Sequence, residues 1–202
     1  MTGDAVQGMY NPPYTGIGQL ASHGQVFNGQ SPLTFLVTPT RKPGLLQDAR
    51  IRQALFLALD RSAVAETAFA GAAVASQSLV AESYYGDVTA ALSEGTGGSE
   101  AELELARELV EEAGSPTDLI TIAAFTGITE SMNQSLQALV EAGTEIGLNI
   151  EFKSITLGQY YALFGNPAGW EEIDADAFGM QDFLTVPDPM AFYARWGSVD
   201  NP

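Results

Sequence analysis

The stretch from Leu119 to Lys153 constrains the fold most. Leu119 to Phe125 reads LITIAAF, an apolar run of strand length. Thr129 can then cap a helix on which Met132, Leu136, Leu139, Val140 and Ile146 form one buried stripe, and Gly147 supplies its stop. Beyond it Leu148, Ile150 and Phe152 alternate with Asn149, Glu151 and Lys153, as on a half-buried strand. Strand, helix and strand in this order normally give a parallel pair with a right-handed crossover. An α/β layer architecture is therefore expected.

Upstream, Leu33 to Thr38 (LTFLVT) reads as another buried strand, entering the turn Arg41-Lys-Pro-Gly. Leu45 to Gly71 then carries two helices. Ile51, Ala54, Leu55, Ala58 and Leu59 recur at helical spacing, with Arg50, Arg52 and Gln53 on the opposite face. Asp48 stands at the N-cap of the first helix, and Asp60 can cap a second one holding Val64, Ala68 and Phe69, ended by Gly71. Ser99 to Ala113 forms a further amphipathic helix, for which Ser99 and Glu102 spell a capping box. Thr156 and Gln159 spell another, starting a short helix with Tyr160, Tyr161 and Phe164. Gly165 to Gly169 breaks that helix, and Asp174 to Met180 can be a strand with Asp174 and Asp176 on one face. Residues 1–32, rich in Gly, Pro, Asn and Gln, read as a loop-rich, extended lead-in.

Composition excludes several functions. The 202 residues suffice for one domain or one large lobe, and 46% hydrophobic residues fit a packed core. With 25 acidic and 8 basic side chains, the net charge of −17 argues against a nucleic-acid partner. There is no cysteine, so disulfides and thiol chemistry are absent, and His23 is the only histidine, so no metal site is expected. No run reaches the length of a membrane span, and Met-Thr-Gly-Asp lacks the form of a signal peptide. There is no Gly-x-Ser-x-Gly elbow, no Walker-type loop and no His-Glu-x-x-His. Asp174, Asp176, Asp182 and Asp188 lie close in sequence and leave a carboxylate-dependent hydrolase as an alternative, although acid/base work needs two carboxylates in different environments.

Gln47 to Val64, QDARIRQALFLALDRSAV, resembles a signature of the extracellular solute-binding proteins of peptide- and nickel-type ABC importers. The helix-to-strand unit from Ser99 to Phe125 and the segment GMQDFLTVPDPMAFYARWG, Gly179 to Gly197, resemble further parts of the same family. The resemblance implies a periplasmic-binding-protein-like (type II) lobe, with a mixed, mostly parallel sheet and helices on both faces. Residues 33–202 would be the second lobe of a two-lobe protein, truncated at both ends. A full-length member would carry an export signal or lipoprotein anchor and work at the extracellular face of the membrane or in the periplasm. It would bind a small solute, a peptide foremost, in the inter-lobe cleft as a monomer and deliver it to ABC permease subunits, without cofactor or catalysis. In peptide-binding members an Asp of the last segment pairs with the ligand's α-amino group. Matching the segments puts Asp182 at that position, beside Phe183 and before the turn Pro187-Asp188-Pro189, with Met180 and Gln181 as further strand-end contacts. A sensor or receptor domain built on the same fold is the other reading the resemblance leaves open.

Overall fold

A computed structural model describes residues 14–27, 29, 31, 33–80, 84–85, 98–127, 129–163, 167–183 and 188–196. Expectations placed on Phe164, Gly165, Pro187 and Gly197, and on most of the lead-in, fall outside these residues.

Among the described residues, four strands form one sheet: β1 (Leu33–Pro39), β2 (Leu119–Ala124), β3 (Asn149–Ser154) and β4 (Ala177–Phe183), in the order β1-β4-β2-β3. β4, β2 and β3 run parallel, and β1 is an antiparallel edge paired with β4 from Leu33↔Phe183 to Pro39↔Ala177. α1 (Ile17–Ala21) precedes β1; α2 (Ala49–Ala58), α3 (Arg61–Phe69), α4 (Leu103–Glu112), α5 (Glu130–Glu145), α6 (Leu157–Ala162) and α7 (Pro167–Ile173) lie between the strands in the chain, and α8 (Pro189–Trp196) follows β4. The short helix α1 sits in the lead-in, where composition points to turns and extended chain.

Side chains alternate across the sheet and sort into two cores. Ile120, Ile122, Ala124, Ile150 and Ala177 face α2, α4 and α5, with Ile51, Leu55, Val110, Met132, Leu136 and Leu139 filling the layer. Ala123, Phe178 and Met180 face the other way, onto Leu163, Ile173 and Trp170 of the α6–α7 region. Helices therefore cover both faces, as expected. Two glycines permit the first layer to close. A Cβ on Gly179 would stand 2.7 Å from Leu136 Cδ2, and one on Gly143 would stand 3.0 Å from both Ile150 and Leu55.

Most caps follow the sequence. Asp48 accepts from the Arg50 N–H, Asp60 from Ala63 and Thr129 from Met132, and Thr156 with Gln159 closes a full capping box. The expected box at Ser99 is absent. The helix begins at Leu103, after Glu102, with no side-chain cap. Ser99 is used elsewhere: its carbonyl accepts from the N–H groups of Arg61 and Ser62, and its hydroxyl pairs with Ser62 at 2.6 Å, so it serves the start of α3. Glu102 N–H meanwhile donates to Leu57 at 2.8 Å. Long-range partners have displaced a local cap.

Two helices replace expected breaks. α7 begins at Pro167, a residue suited to the first helical position, where its missing N–H costs nothing. Gly169 lets α7 approach α6, since a Cβ there would lie 3.1 Å from Ala162. α8 begins likewise at Pro189, with Asp188 Oδ1 accepting from Met190 N–H at 2.9 Å. No described helix is long and apolar enough to cross a membrane.

Candidate functional site

The parallel strands deliver their C-terminal ends to one edge of the sheet, where open α/β folds bind ligands. β2 ends at Ala124 and leads into Phe125 and Thr126; β3 ends at Ser154, and Ile155 N–H donates to the Ala124 carbonyl at 3.0 Å. Thr126 and Ser154 hydroxyls lie 3.1 Å apart, and Asn133 of α5 donates from Nδ2 to the Thr126 carbonyl at 3.0 Å. β4 reaches the same edge with Gln181, Asp182 and Phe183.

The candidate residues fall on different faces. Asp182 is only 3% exposed, and its Oδ1 accepts from the Phe183 N–H at 2.8 Å. It follows Phe178 and Met180 on the face of the second core. Met180, 1% exposed, is a core side chain below Asp182 rather than a rim group. Gln181 and Phe183 point to the opposite face, where Phe183 is 51% exposed beside its strand partner Leu33. One buried carboxylate thus stands at the strand end with an aromatic side chain turned away from it.

Aromatic groups gather on the Asp182 side. Tyr160 and Phe125 pack against the second core, their ring centroids 5.9 Å apart, and Tyr161 lies 5.9 Å from Tyr160 on the outer side. Burial first, and then the negative charge of Asp182, raises the Tyr160 phenol above its ordinary range.

The other acidic residues do not join this group. Asp176 is 8% exposed, but it precedes β4 instead of lying on it, and Asp174 adopts φ +49° in the turn before it. The expected shared strand face of Asp174 and Asp176 is absent, because Asp176 is drawn into the sheet's opposite end. It accepts from Thr121 N–H at 2.8 Å and pairs with Lys42 at 3.4 Å. Six residues of extended chain set it about 20 Å from Asp182, beyond the separation of about 5–9.5 Å at which paired carboxylates share a glycosidic bond. Asp188 caps α8. Tyr84 and Tyr85 pack with Val80, Phe192 and Tyr193 in a third, small cluster.

Residues 2–202 match the family described as bacterial extracellular solute-binding proteins, family 5, middle region. The chain belongs to that family. No curated protein sequence matches the chain. Among solved structures, the substrate-binding protein CtaP of Listeria monocytogenes superposes with a TM-score of 0.75 at 18% identity, over 95% of this chain and 38% of that one. NikA of Staphylococcus aureus, in complex with Ni(L-His)2, gives 0.71 at 16% identity over 94% and 39%. The oligopeptide-binding protein AppA of Bacillus subtilis, in complex with a nonapeptide, gives 0.66 at 16% identity over 86% and 36%. At these identities the likeness is one of fold. The family member described here spans well under half the length of each.

Proposed function

We propose that this chain is part of the substrate-binding component of an ABC importer, and that the solute is a peptide whose α-amino group is held by Asp182. Residues 33–202 would form the second lobe, closing with another lobe over the ligand. The observation that carries the reading is the buried Asp182 carboxylate at the C-terminal end of β4, in a chain that matches the solute-binding family from end to end. A carboxylate shut from water binds an ammonium group by a charge-assisted hydrogen bond worth about 1.5–3 kcal/mol, and a ligand without that charge forgoes it. Gln181 and Phe183 would touch the ligand from the other side of the strand end, and Met180 would support Asp182 from below.

The function is capture and delivery, with no bond broken and no cofactor. Ligand favours the closed form only by its differential affinity for it. The full-length protein would act as a monomer outside the cell or in the periplasm, held there by a signal or lipid anchor, and hand its solute to a permease. The test is thermal unfolding of the full-length protein against di- to pentapeptides, oligosaccharides and nickel chelates, with Asp182→Asn in parallel. Ligand at a hundred times its Kd adds about 2.7 kcal/mol to the folded state. Free-amine peptides should stabilise the parent and not Asp182→Asn. Stabilisation by sugars or chelates instead, or an undiminished peptide effect in Asp182→Asn, would overturn the reading.

A further inference from the structure

The side of β4 that carries Asp182 also carries an aromatic wall. Phe125 is the first residue after β2, and the Thr156–Gln159 capping box starts α6, which carries Tyr160 three residues after its first residue Leu157, so two separate chain segments supply the rings. The Phe125 and Tyr160 planes are inclined by 35° and those of Tyr160 and Tyr161 by 64°. The wall runs from the second core to solvent: Phe125 and Tyr160 are half-buried, while Tyr161 is 66% exposed. Tyr160 packs against the core cluster that includes Met180, the residue next to Asp182 along the same face of β4.

We propose that Tyr160, backed by Phe125 and flanked by Tyr161, is a specificity-determining residue that makes the Asp182 subsite select an organic ammonium group over a metal ion or metal chelate. The inference rests on Asp182 being the ligand anchor and adds what surrounds it. An ammonium group on carbon is suited to both surfaces at once: the carboxylate takes its N–H donors, and the ring faces attract its positive charge and cover its apolar carbons. A hard divalent cation wants about six oxygen ligands, and softer ions want imidazole or thiolate. Ring carbons supply neither, and among the described residues no group of three or more His, Cys, Asp or Glu side chains is placed to hold a metal.

The test is calorimetric titration of the full-length protein with trialanine, N-acetyltrialanine and the nickel bis-histidine complex, on the parent, Tyr160→Leu, Tyr160→Phe, Tyr161→Leu and Asp182→Asn. Trialanine should bind the parent more tightly than either other probe. Tyr160→Leu should weaken trialanine about fivefold or more, and Tyr160→Phe, which keeps the ring, should stay within about twofold of the parent. N-acetyltrialanine has no ammonium to lose, so Tyr160→Leu should leave its weak binding unchanged. Equal losses for both peptides would reduce Tyr160 to a structural role and overturn the inference. Should Tyr160→Leu fail to fold, the exposed Tyr161→Leu carries the test, with about a twofold loss expected for trialanine alone. Trialanine binding that survives the leucine variants but fails in Asp182→Asn overturns the wall and keeps the anchor. Unchanged binding in Asp182→Asn, no binding of trialanine to the parent, or tighter binding of the nickel complex overturns both.

Discussion

Asp176 and Asp182 stand at opposite ends of β4, both shut from water, in unlike surroundings. Asp176 is built into the fold on every side. Its carboxylate takes the Thr121 N–H at 2.8 Å and the Lys42 ammonium at 3.4 Å, its own N–H donates to Thr121, and its carbonyl accepts from the Thr40 N–H at 2.9 Å. It joins the turn after β1 to the start of β2. Asp182 Oδ1 accepts, among its contacts, from the N–H of its neighbour Phe183, at the edge where three parallel strands end. The same side chain, buried in both places, acts as a fastener at one end of the strand, and at the other it is the group we propose for ligand recognition. Burial alone does not tell the two carboxylates apart; their surroundings do.

Three substitutions test this contrast, from the largest expected effect downward, and a fourth probes a separate region. Asp176→Ala strands the Thr121 N–H and should cost about 1.5–3 kcal/mol in urea unfolding, the range for a hydrogen bond to a charged group. A cost below about 1 kcal/mol, within the range for ordinary surface changes, would erase the contrast. Gly179→Ala, midway along the strand, forces a methyl group to within 2.7 Å of Leu136 Cδ2. Overpacking of this kind should cost about 1–3 kcal/mol and leave ligand affinity near parental once folded. Lys42→Met should cost less than about 1 kcal/mol, because Lys42 is partly exposed and its pairs with Asp174 and Asp176 are screened. Raising the salt concentration should shrink that difference, whereas the Asp176→Ala cost should persist.

The smallest effect belongs to a region coupled to neither carboxylate. Burial and the hydroxyl of Tyr85 push the Tyr193 phenol up to about 12, from an unfolded value of about 10. Between these values the folded chain holds a proton that the unfolded chain has released. The contribution is complete below about pH 10 and is lost as pH rises through about 12. Tyr193→Phe should flatten that alkaline decline in stability and change nothing at pH 7 beyond the hydroxyl pair. An unchanged alkaline slope would contradict the assignment.

The framework was legible because its signals are local. The β2–α5–β3 unit, the buried faces of α2 and α5, and the caps at Asp48, Asp60, Thr129 and Thr156 follow from periodicity and short-range hydrogen bonding. α7 and α8 were missed because Pro167 and Pro189 read as breakers, although each occupies the first helical position. The Ser99 cap failed because its groups are claimed by Arg61 and Ser62, 38 and 37 residues earlier in the chain. Asp182 could be singled out through family resemblance, but its neighbours could not. Tyr160 lies 22 residues before it, and the two reach the same side of the sheet only because the chain after β3 crosses over so that β4 pairs with β2 on the side opposite β3. The fastening role of Asp176 is equally remote, since Thr121 is 55 residues away.

The most direct test of the account is a double-mutant cycle on the full-length protein, pairing Asp182→Asn with removal of the ligand's charge. Trialanine and N-acetyltrialanine would each be titrated into parent and variant. The account predicts that either change alone weakens binding at least about tenfold, that both together weaken it little further, and that Asp182→Asn unfolds within about 1 kcal/mol of the parent. Additive losses, or a parent that binds both peptides alike, would contradict the claim that Asp182 receives the ligand's ammonium group.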